Sequence, residues 1–270
     1  MKTVSNMNGN HGISISCAFA AWLAVCAVVG DVPAAGERYA KTGAAAVSRI
    51  ASDIYDALDA KPRQALQSAT VVVKTDAIPY LTQAAAEAGK ASGTVVVSSG
   101  FLELVNKLAH AKAIDKLTKG YLEKYVTGLG NEPKDLLEAS NPRYWEASVM
   151  DEQASNFSQM VGTLLALEYS HHYLGHYEKY AGRLSGNGGQ PTPINPLLTP
   201  DEWSASVRAG VRNCLGAGLG IEGVKALVEA MDKLPKRPAW AAFCVPDSIK
   251  GKALRKEMEK IERKFFGGEE

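Results

Sequence analysis

Histidines are concentrated in one short stretch of this sequence. Three of the five histidines in the chain, His171, His172 and His176, fall within six residues. His172 and His176 are four residues apart, so on a continuous helix they lie on the same face. Two imidazoles placed in this way can hold one divalent metal ion. A hydrogen-bonded pair of histidines without a metal is the alternative that this spacing leaves open.

The residues upstream of this pair indicate how the pair is placed in the fold. Met160, Leu164 and Glu168 precede the pair at intervals of four residues, and this stripe is mostly apolar. The pair is therefore predicted to be partly buried rather than to lie on a solvated face. Gly175 has no side chain, so it leaves the helix surface beside the pair open to a strand or a substrate.

The elements that must position these histidines are predicted from the hydrophobic pattern. Runs of β-branched residues predict strands at 69–73 and 94–98. Helical patterns cover 38–60, 79–90, 101–128 (in two pieces), 153–182, 203–216, 221–233 and 247–265. Two or three strands among many helices indicate an α+β fold that is mostly helical.

Two segments are predicted to be loop-rich insertions. Residues 129–151 contain Gly130, Pro133 and Pro142, and residues 183–200 are dense in glycine and proline. The second segment directly follows the helix predicted over 153–182, which carries the three histidines. It is either an active-site lid or a solvated connection. Thr199-Pro200-Asp201-Glu202 then opens the next helix, with a proline near its first position and two acids in its first turn.

The first 34 residues are predicted to be a signal peptide. Residues 13–30 form an apolar run without a charged residue, and Val32-Pro33-Ala34 follows it as a small-residue cleavage site. A permanent membrane anchor is one alternative, and lipidation at Cys26 is another. The mature protein is therefore predicted to be exported to the periplasm or the exterior. It would contact a membrane only through an uncleaved or lipidated N-terminus.

The charge balance restricts the kind of partner. The chain has 30 Lys and Arg against 29 Asp and Glu, so its formal net charge is +1. A surface that binds nucleic acid needs a basic excess, which this composition does not supply. Nucleic acid is therefore excluded as an expected partner.

Several motifs occur in an order that resembles one known family. Residues 94–105 (TVVVSSGFLELV) resemble a strand of the type I-V-V-T-R-G-L-L-D-L-L that precedes a metal helix. Residues 172–176 (HYLGH) stand in the place of H-E-x-x-H, and residues 202–206 (EWSAS) resemble E-x-x-A-D. Residues 215–222 resemble an A-G-Y-D turn, and residues 224–231 resemble the helix after it. This order is similar to that of the HtpX- and BepA-type zinc metallopeptidases of the gluzincin group.

The resemblance covers about residues 70–265 and implies a gluzincin-like metallopeptidase domain. It implies one zinc ion held by His172, His176 and Glu202, and a protein or peptide as substrate or partner. Glu222 is the other nearby acid that could supply the third ligand. The chain then divides into a signal peptide (1–34), an N-terminal helical segment (35–68) and the metallopeptidase-like domain (69–270).

Three departures from the family pattern bear on catalysis. Tyr173 stands where the family has its general-base glutamate, Ser206 replaces a supporting aspartate, and residues 243–246 (FCVP) replace a T-H-P motif. Tyrosine has an ordinary pKa of about 10, so it is a poor base for zinc-bound water at neutral pH. Glu168 could hydrogen-bond a ligand imidazole, and His171, about 100° round the helix, could reach the substrate. Neither is expected to replace the missing base.

These observations together predict an exported zinc metallopeptidase-like protein that is catalytically impaired or non-catalytic. The alternative is a metal-free helical scaffold or interaction protein of the cell envelope. Zinc bound in stoichiometric amount would distinguish the first from the second.

Two cysteines, Cys214 and Cys244, lie outside the predicted signal peptide. A disulfide between them is predicted, because the resemblance places both in the C-terminal part of the domain. Two buried free thiols are the alternative.

Overall fold

The computed structural model describes residues 35–67, 70–83, 93–130, 134–184, 191–234, 236–245 and 250–267, which belong to one compact unit. The helices are α1 (Ala35–Asp56), α2 (Ala60–Leu66), α3 (Ser99–Ile114), α4 (Tyr121–Gly128), α5 (Ala147–Tyr173), α6 (His176–Leu184), α7 (Pro200–Gly216), α8 (Glu222–Asp232) and α9 (Gly251–Phe265). The strands are β1 (Thr70–Lys74), β2 (Leu81–Gln83) and β3 (Thr94–Ser98), and short 3₁₀ segments lie at Pro142–Trp145, Asn195–Leu197 and Ala239–Phe243. The predicted signal peptide, 1–34, lies outside the described residues.

The three strands form one sheet in the order β1-β3-β2. β1 pairs with β3 in parallel, with Thr70 opposite Thr94, and β2 pairs with β3 antiparallel, with Leu81 opposite Val97. Both long strands are valine-rich, as expected for residues that fit a pleated, half-buried surface. The predicted α+β class, with helix in the majority, is confirmed.

α5 is the central helix of the fold. It packs against α1, α3, α7 and α8, and every residue from Met160 to His172 is buried. A helix buried on all sides has to be apolar, or has to pair its polar side chains inside the protein. The side chains of this stretch that carry polar atoms are those of Thr163, Glu168, Tyr169, Ser170, His171 and His172, and the Tyr169 hydroxyl has no hydrogen-bond partner among the described residues.

Most of the predicted elements are confirmed. The helix predicted in two pieces over 101–128 corresponds to α3 and α4. The predicted strand over 94–98 is β3, and the strand predicted over 69–73 corresponds to β1. The two helices predicted over 203–216 and 221–233 are α7 and α8, each within a few residues of its predicted bounds.

The two helix predictions near the N-terminal end have different outcomes. The helix predicted over 38–60 is confirmed as α1, which ends at Asp56, and Lys61-Pro62 belongs to the first turn of α2. Proline is tolerated there because the first N–H groups of a helix have no partner within it. The helix predicted over 79–90 is contradicted at Leu81–Gln83, which is β2, and residues 84–90 lie outside the described residues.

The helix predicted over 153–182 is wrong as a single element, because it is interrupted after Tyr173. Gly175 has a φ of +77°, and its N–H donates to the His172 carbonyl at 2.9 Å. Glycine adopts a positive φ without steric cost, and helices commonly end in this way. α6 then begins at His176, so His172 and His176 are not one turn apart on a common helix.

The start of α7 is fixed by a capping box. The Glu202 N–H donates to the Thr199 hydroxyl at 3.3 Å, and the Thr199 N–H donates to the Glu202 carboxylate at 2.9 Å. Pro200 occupies the first helical position, where its missing N–H costs nothing. The proline-led helix start predicted from the sequence is therefore confirmed.

The close approach of α5 and α7 gives a test of the packing that holds the site. A Cβ on Gly210 of α7 would lie 2.9 Å from Leu167 Cδ2 and 3.0 Å from Leu167 Cα. We expect Gly210→Ala to lower the free energy of unfolding by about 1–3 kcal/mol, because backbone atoms of α5 must move. The measurement is urea unfolding followed by circular dichroism.

Gly182→Ala in α6 is the matched control for this prediction. No described atom lies within 4 Å of its Cβ position, so alanine there should raise the free energy of unfolding by up to about 1 kcal/mol. Equal effects of the two substitutions would contradict the close packing of α5 on α7.

Candidate functional site

Three polar side chains from three helices meet in the interior, and we call them the His–Ser centre. They are His171 at the end of α5, His176 at the start of α6 and Ser206 in α7. His171 Nδ1 lies 3.2 Å from His176 Nδ1, and Ser206 Oγ lies 3.0 Å and 3.3 Å from these two atoms respectively. Their exposed fractions are 1%, 5% and 0%.

The local structure explains why these residues meet. The break at Gly175 turns the chain so that the ring of His176 comes to lie beside the last turn of α5. Ser206 lies one turn after Glu202, whose capping box fixes the start of α7. The Ser170 hydroxyl lies 2.6 Å from the Leu167 carbonyl of α5 and 3.2 Å from the Ser206 carbonyl of α7, and it can donate its one proton to either.

Both imidazoles of the His–Ser centre are neutral near pH 7. Burial, followed by the neighbouring imidazoles of His176 and His172, lowers the pKa of His171 to about 3. Burial also lowers the pKa of His176, against an opposing effect of the Glu202 carboxylate. A charged imidazole here would lose its hydration without gaining a hydrogen-bonded anion.

The Ser206 hydroxyl can satisfy the hydrogen bonds of the centre without any other group. A hydroxyl has one donor and two acceptor positions. Its proton can go to the Glu202 carbonyl, one helical turn earlier, at 3.1 Å. Its oxygen can then accept an N–H from both His171 and His176, if each imidazole carries its proton on Nδ1. This arrangement is complete without a metal ion.

The Asn195 side chain supports the His171 ring, to which it is hydrogen-bonded. The indole N–H of Trp203 donates to Asn195 Oδ1 at 3.2 Å, and Asn195 Nδ2 donates to the Ala242 carbonyl at 3.2 Å. Asn195 is thus held by two further contacts, which fix its orientation towards His171. The sequence analysis missed Asn195, because its loop position carries no signal and its partners approach it only in the fold.

Glu168 and Tyr177 form a second buried pair beside the His–Ser centre. The Tyr177 hydroxyl donates to the Glu168 carboxyl group. Burial raises the pKa of Glu168 to about 8, although the hydrogen bond from Tyr177 opposes the shift, so Glu168 is mostly protonated at neutral pH. The ring of His172 lies against Tyr177, with 5.1 Å between the ring centroids, and burial lowers the pKa of His172 to about 4.

Tyr173 lies away from the His–Ser centre. Its hydroxyl accepts a hydrogen bond from Asn213 Nδ2 at 2.8 Å. Asn213 is seven residues beyond Ser206 in α7, which corresponds to about 10 Å along the helix axis. Burial raises the pKa of Tyr173, so its phenol stays protonated at neutral pH. The structure therefore does not bring Tyr173 to the histidines that the family motif would place beside it.

Glu202 is engaged as a helix cap and an ion-pair partner. Its carboxylate accepts hydrogen bonds from the Lys179 ammonium group, from the Tyr180 hydroxyl at 2.8 Å and from Thr199. Burial alone would raise its pKa, but these hydrogen bonds outweigh that effect and lower the pKa to about 2. The acidic, proline-led helix start that suggested a metal ligand is accounted for by the cap.

The three zinc ligands expected from the resemblance do not converge on one point. His172 lies against Tyr177, whereas His176 faces the Ser206 hydroxyl. Within the described ranges, no group of three or more His, Cys, Asp or Glu side chains is placed to hold a metal ion. The expected ligand set of His172, His176 and Glu202 therefore does not fit a single zinc ion.

The predicted disulfide is wrong, because Cys214 and Cys244 are both free and buried. The Cys214 thiol lies 3.4 Å from the Thr163 hydroxyl of α5, and burial raises its pKa to about 11. Burial, together with the nearby Glu168 carboxyl group, raises the pKa of Cys244 to about 12. Neither thiol ionises at neutral pH, so neither is a reactive nucleophile.

Comparison with known proteins adds no relative. No family model matches the chain, and no curated protein or solved structure matches it. The gluzincin resemblance therefore rests on the sequence motifs alone.

Across the part of the chain that the structure describes, no helix combines the length and the apolar character needed to cross a membrane.

The raised pKa of Glu168 gives a test of the buried pair. The folded state favours the protonated carboxyl group, so the stability contributed by Glu168 is full below pH 4.5 and is lost as the pH rises towards 8. Glu168→Gln keeps the shape and removes this titration. We expect the variant to gain stability relative to the wild type between pH 5 and pH 9, by about a few kcal/mol. Urea unfolding at several pH values measures the difference.

Glu152→Gln is the matched control, since it removes a partly exposed carboxylate of the same helix that pairs with Lys116 at 2.8 Å. The comparison of the two variants isolates the effect of burial. Parallel stability curves for the wild type and Glu168→Gln across this pH range would contradict the buried, protonated state of Glu168.

Proposed function

We propose that this chain is a non-hydrolytic, metallopeptidase-like protein that acts by binding a protein or a peptide. The observation that carries this proposal is the nearly complete burial of His171, His176 and Ser206. Hydrolysis requires a nucleophile or an activated water that the scissile carbonyl can approach to about 3 Å. A centre enclosed by three helices does not offer that approach.

The protonation states of the neighbouring groups also support a non-hydrolytic role. A general base works best when its pKa lies near the operating pH. The pKa of His171 is about 3, so its imidazole is a weak base. Glu168 is mostly protonated and accepts from Tyr177, and Tyr173 is held by Asn213.

The edge of the sheet supports the binding of an extended peptide. Within the described part of the chain, β1 is an edge strand that pairs with β3 on one side. The Thr70 N–H donates to the Gly93 carbonyl, so strand alternation directs the N–H groups of Val71 and Val73 away from β3. Backbone groups on such an edge are a template for an added strand. Val72 is 41% exposed and adds apolar surface.

A metal-free helical scaffold of the cell envelope is the second candidate function. It is supported by the hydrogen bonds around Ser206, which are complete without a metal ion. A scaffold does not need the open edge of β1, so peptide binding distinguishes the two candidates. Export to the periplasm or the exterior is part of both proposals and rests on the sequence of residues 1–34.

Hydrolysis of denatured casein tests the non-hydrolytic proposal. We expect no release of peptides above the buffer rate, with or without added zinc. Tyr173→Glu should not create activity, because its carboxylate would lie near Asn213 and not at the His–Ser centre. Fluorescently labelled casein provides the readout, and Tyr173→Phe is the control that alters the same contact without adding an acid. Cleavage by the wild type that disappears in His176→Ala would contradict the proposal.

Binding of denatured casein to the β1 edge tests the second half of the proposal. Proline at position 71 removes an N–H that points away from the sheet, and edge strands tolerate such a proline. We therefore expect Val71→Pro to weaken binding by about tenfold or more, since a hydrogen bond is lost and the ring blocks the incoming strand. Fluorescence anisotropy of labelled, reduced casein measures the affinity.

Val71→Thr is the matched control for this experiment, because it keeps the β-branched shape and the backbone N–H at the same position. Its affinity should stay within about twofold of the wild type. Absence of binding by the wild type, or equal affinities of Val71→Pro and the wild type, would argue for the scaffold instead.

A further inference from the structure

The C-terminal end of α9 exposes two adjacent aromatic side chains. Phe265 is 42% exposed and Phe266 is 71% exposed, which is the largest exposed fraction among the large hydrophobic side chains that the structure describes. Their rings contact each other edge to face, with 5.3 Å between the centroids. Apolar residues scattered singly over a protein surface are ordinary, whereas two aromatic rings side by side form a candidate contact site.

The rest of α9 is held against the protein by one face. The buried side chains of this helix include Leu254, Met258 and Ile261, and the helix packs against α7 and α8. Successive residues of a helix are about 100° apart, so Lys256, Lys260 and Arg263 lie on the side away from the buried stripe. All three are exposed, and this side of α9 therefore faces solvent.

Basic side chains lead up to the aromatic pair. Those exposed on α9 are Lys252, Lys256, Lys260, Arg263 and Lys264. The helix has six Lys and Arg against three Glu, which gives a formal net charge of +3 in a chain whose net charge is +1. Two of the three glutamates pair with cations of neighbouring helices, Glu257 with Arg208 of α7 at 3.9 Å and Glu262 with Lys225 of α8 at 3.4 Å. The basic excess of α9 is therefore turned to solvent.

We propose that the α9 tip, defined as Lys260, Arg263, Lys264, Phe265 and Phe266, docks on the surface of a membrane that contains anionic lipids. Aromatic side chains insert at the boundary between lipid headgroups and acyl chains, and Lys and Arg are attracted to anionic headgroups. The proposal goes beyond the proposed function and does not depend on it. It assigns a membrane contact to a different segment from the N-terminal one expected from the sequence.

The arrangement of these side chains favours a membrane over a single-stranded nucleic acid. Nucleic-acid sites of this kind place aromatic rings along a basic groove that follows the phosphate backbone, whereas Phe266 projects from the end of a helix. Glu269 and Glu270 follow in the sequence, outside the described residues, and offset part of the basic charge. We therefore expect the contact to be reversible and sensitive to salt.

Vesicle flotation of the full-length protein tests the proposal. The probes are vesicles of phosphatidylcholine alone and vesicles of equal parts phosphatidylcholine and phosphatidylglycerol. We expect the wild type to bind the mixed vesicles more tightly by about tenfold or more, since each basic residue near an anionic surface contributes about fivefold. High salt should reduce this preference. Equal binding to the two kinds of vesicle would overturn the proposal.

Two double variants separate the basic and the aromatic contributions. Arg263→Gln with Lys264→Gln should lower the preference for the mixed vesicles by about tenfold or more. Phe265→Ser with Phe266→Ser should lower the affinity for the mixed vesicles by about tenfold, because less apolar surface enters the membrane. A wild-type preference that the first variant retains in full, or an affinity that the second leaves unchanged, would contradict the assignment to the α9 tip.

Lys119→Gln with Lys124→Gln is the matched control for charge, since both side chains are exposed and the change in net charge is the same. The pair of Glu123 and Lys233 ties α4 to the end of α8 that holds the start of α9. These lysines therefore lie near the opposite end of α9, about 20 Å from the tip. Their removal should change the vesicle preference by less than about twofold, because salt screens charges at that distance.

Ile78→Ser is the matched control for exposed apolar surface. Ile78 is 56% exposed and lies outside α9, two residues after Asp76. Its replacement should leave the affinity for the mixed vesicles within about twofold of the wild type. A loss equal to that of the phenylalanine variant would show that apolar surface acts without regard to position, and would contradict the proposal.

Hydrogen–deuterium exchange of the wild type locates the contact without any substitution. With the mixed vesicles, amide exchange should slow over residues 260–267 and stay unchanged in α4. This local measurement is independent of any binding through residues 1–34. Unchanged exchange at the α9 tip would overturn the proposal, and so would binding of a thymidine oligonucleotide that slows exchange there when the vesicles do not. The casein measurements contain no lipid, so the two proposals fail separately.

Discussion

Because α5 is enclosed by other helices from Met160 to His172, most of its polar side chains take their partners from inside the protein, although the buried Tyr169 hydroxyl has no hydrogen-bond partner among the described residues. A buried polar group without a partner costs about 1–3 kcal/mol. Other segments supply partners: Ser206 in α7 bonds to His171, and Tyr177 in α6 bonds to Glu168. Just beyond this stretch, Asn213 in α7 bonds to Tyr173. These contacts determine how α6 and α7 pack on α5, and the His–Ser centre is their meeting point.

The break after Tyr173 shows where sequence reasoning succeeds and where it stops. The β-branched runs predict β1 and β3 well, since valine-rich segments have few other stable placements. The helical pattern, in contrast, continues from α5 into α6, so the pattern alone predicts one helix. Gly175 is the only local sign of the break, and a single glycine inside a helical pattern is tolerated at a cost of about 1 kcal/mol. Because the i,i+4 argument depends on an unbroken helix, it predicts that His172 and His176 share a face, whereas the imidazole whose Nδ1 lies 3.2 Å from that of His176 is His171.

The candidate site also shows that one motif can have two explanations. Glu202 was predicted as a ligand because it opens a helix in an E-x-x-A-x pattern. The same residue is the last of a Thr-x-x-Glu capping box, at the third position of the helix, and this pattern is visible in the sequence and has a simple local cause. Ser206 was noted only as a replacement for an aspartate, although its hydroxyl contacts both imidazoles. Asn195 could not have been found, since its partners Trp203 and Ala242 become its neighbours only through the fold. The surroundings of the histidines therefore favour a buried junction between helices over an open reaction site.

The account depends most directly on His171 being enclosed and neutral. Side-chain ¹⁵N NMR of the histidine rings, recorded from pH 8 to pH 5 and assigned with His171→Gln, measures this state for each imidazole. Burial lowers the pKa of His171 to about 3, so its ring nitrogen shifts should stay those of a neutral imidazole over the whole range. A titration of His171 with a pKa of about 6.5, the ordinary value for a solvated histidine, would show that the centre is open to water and would contradict the account.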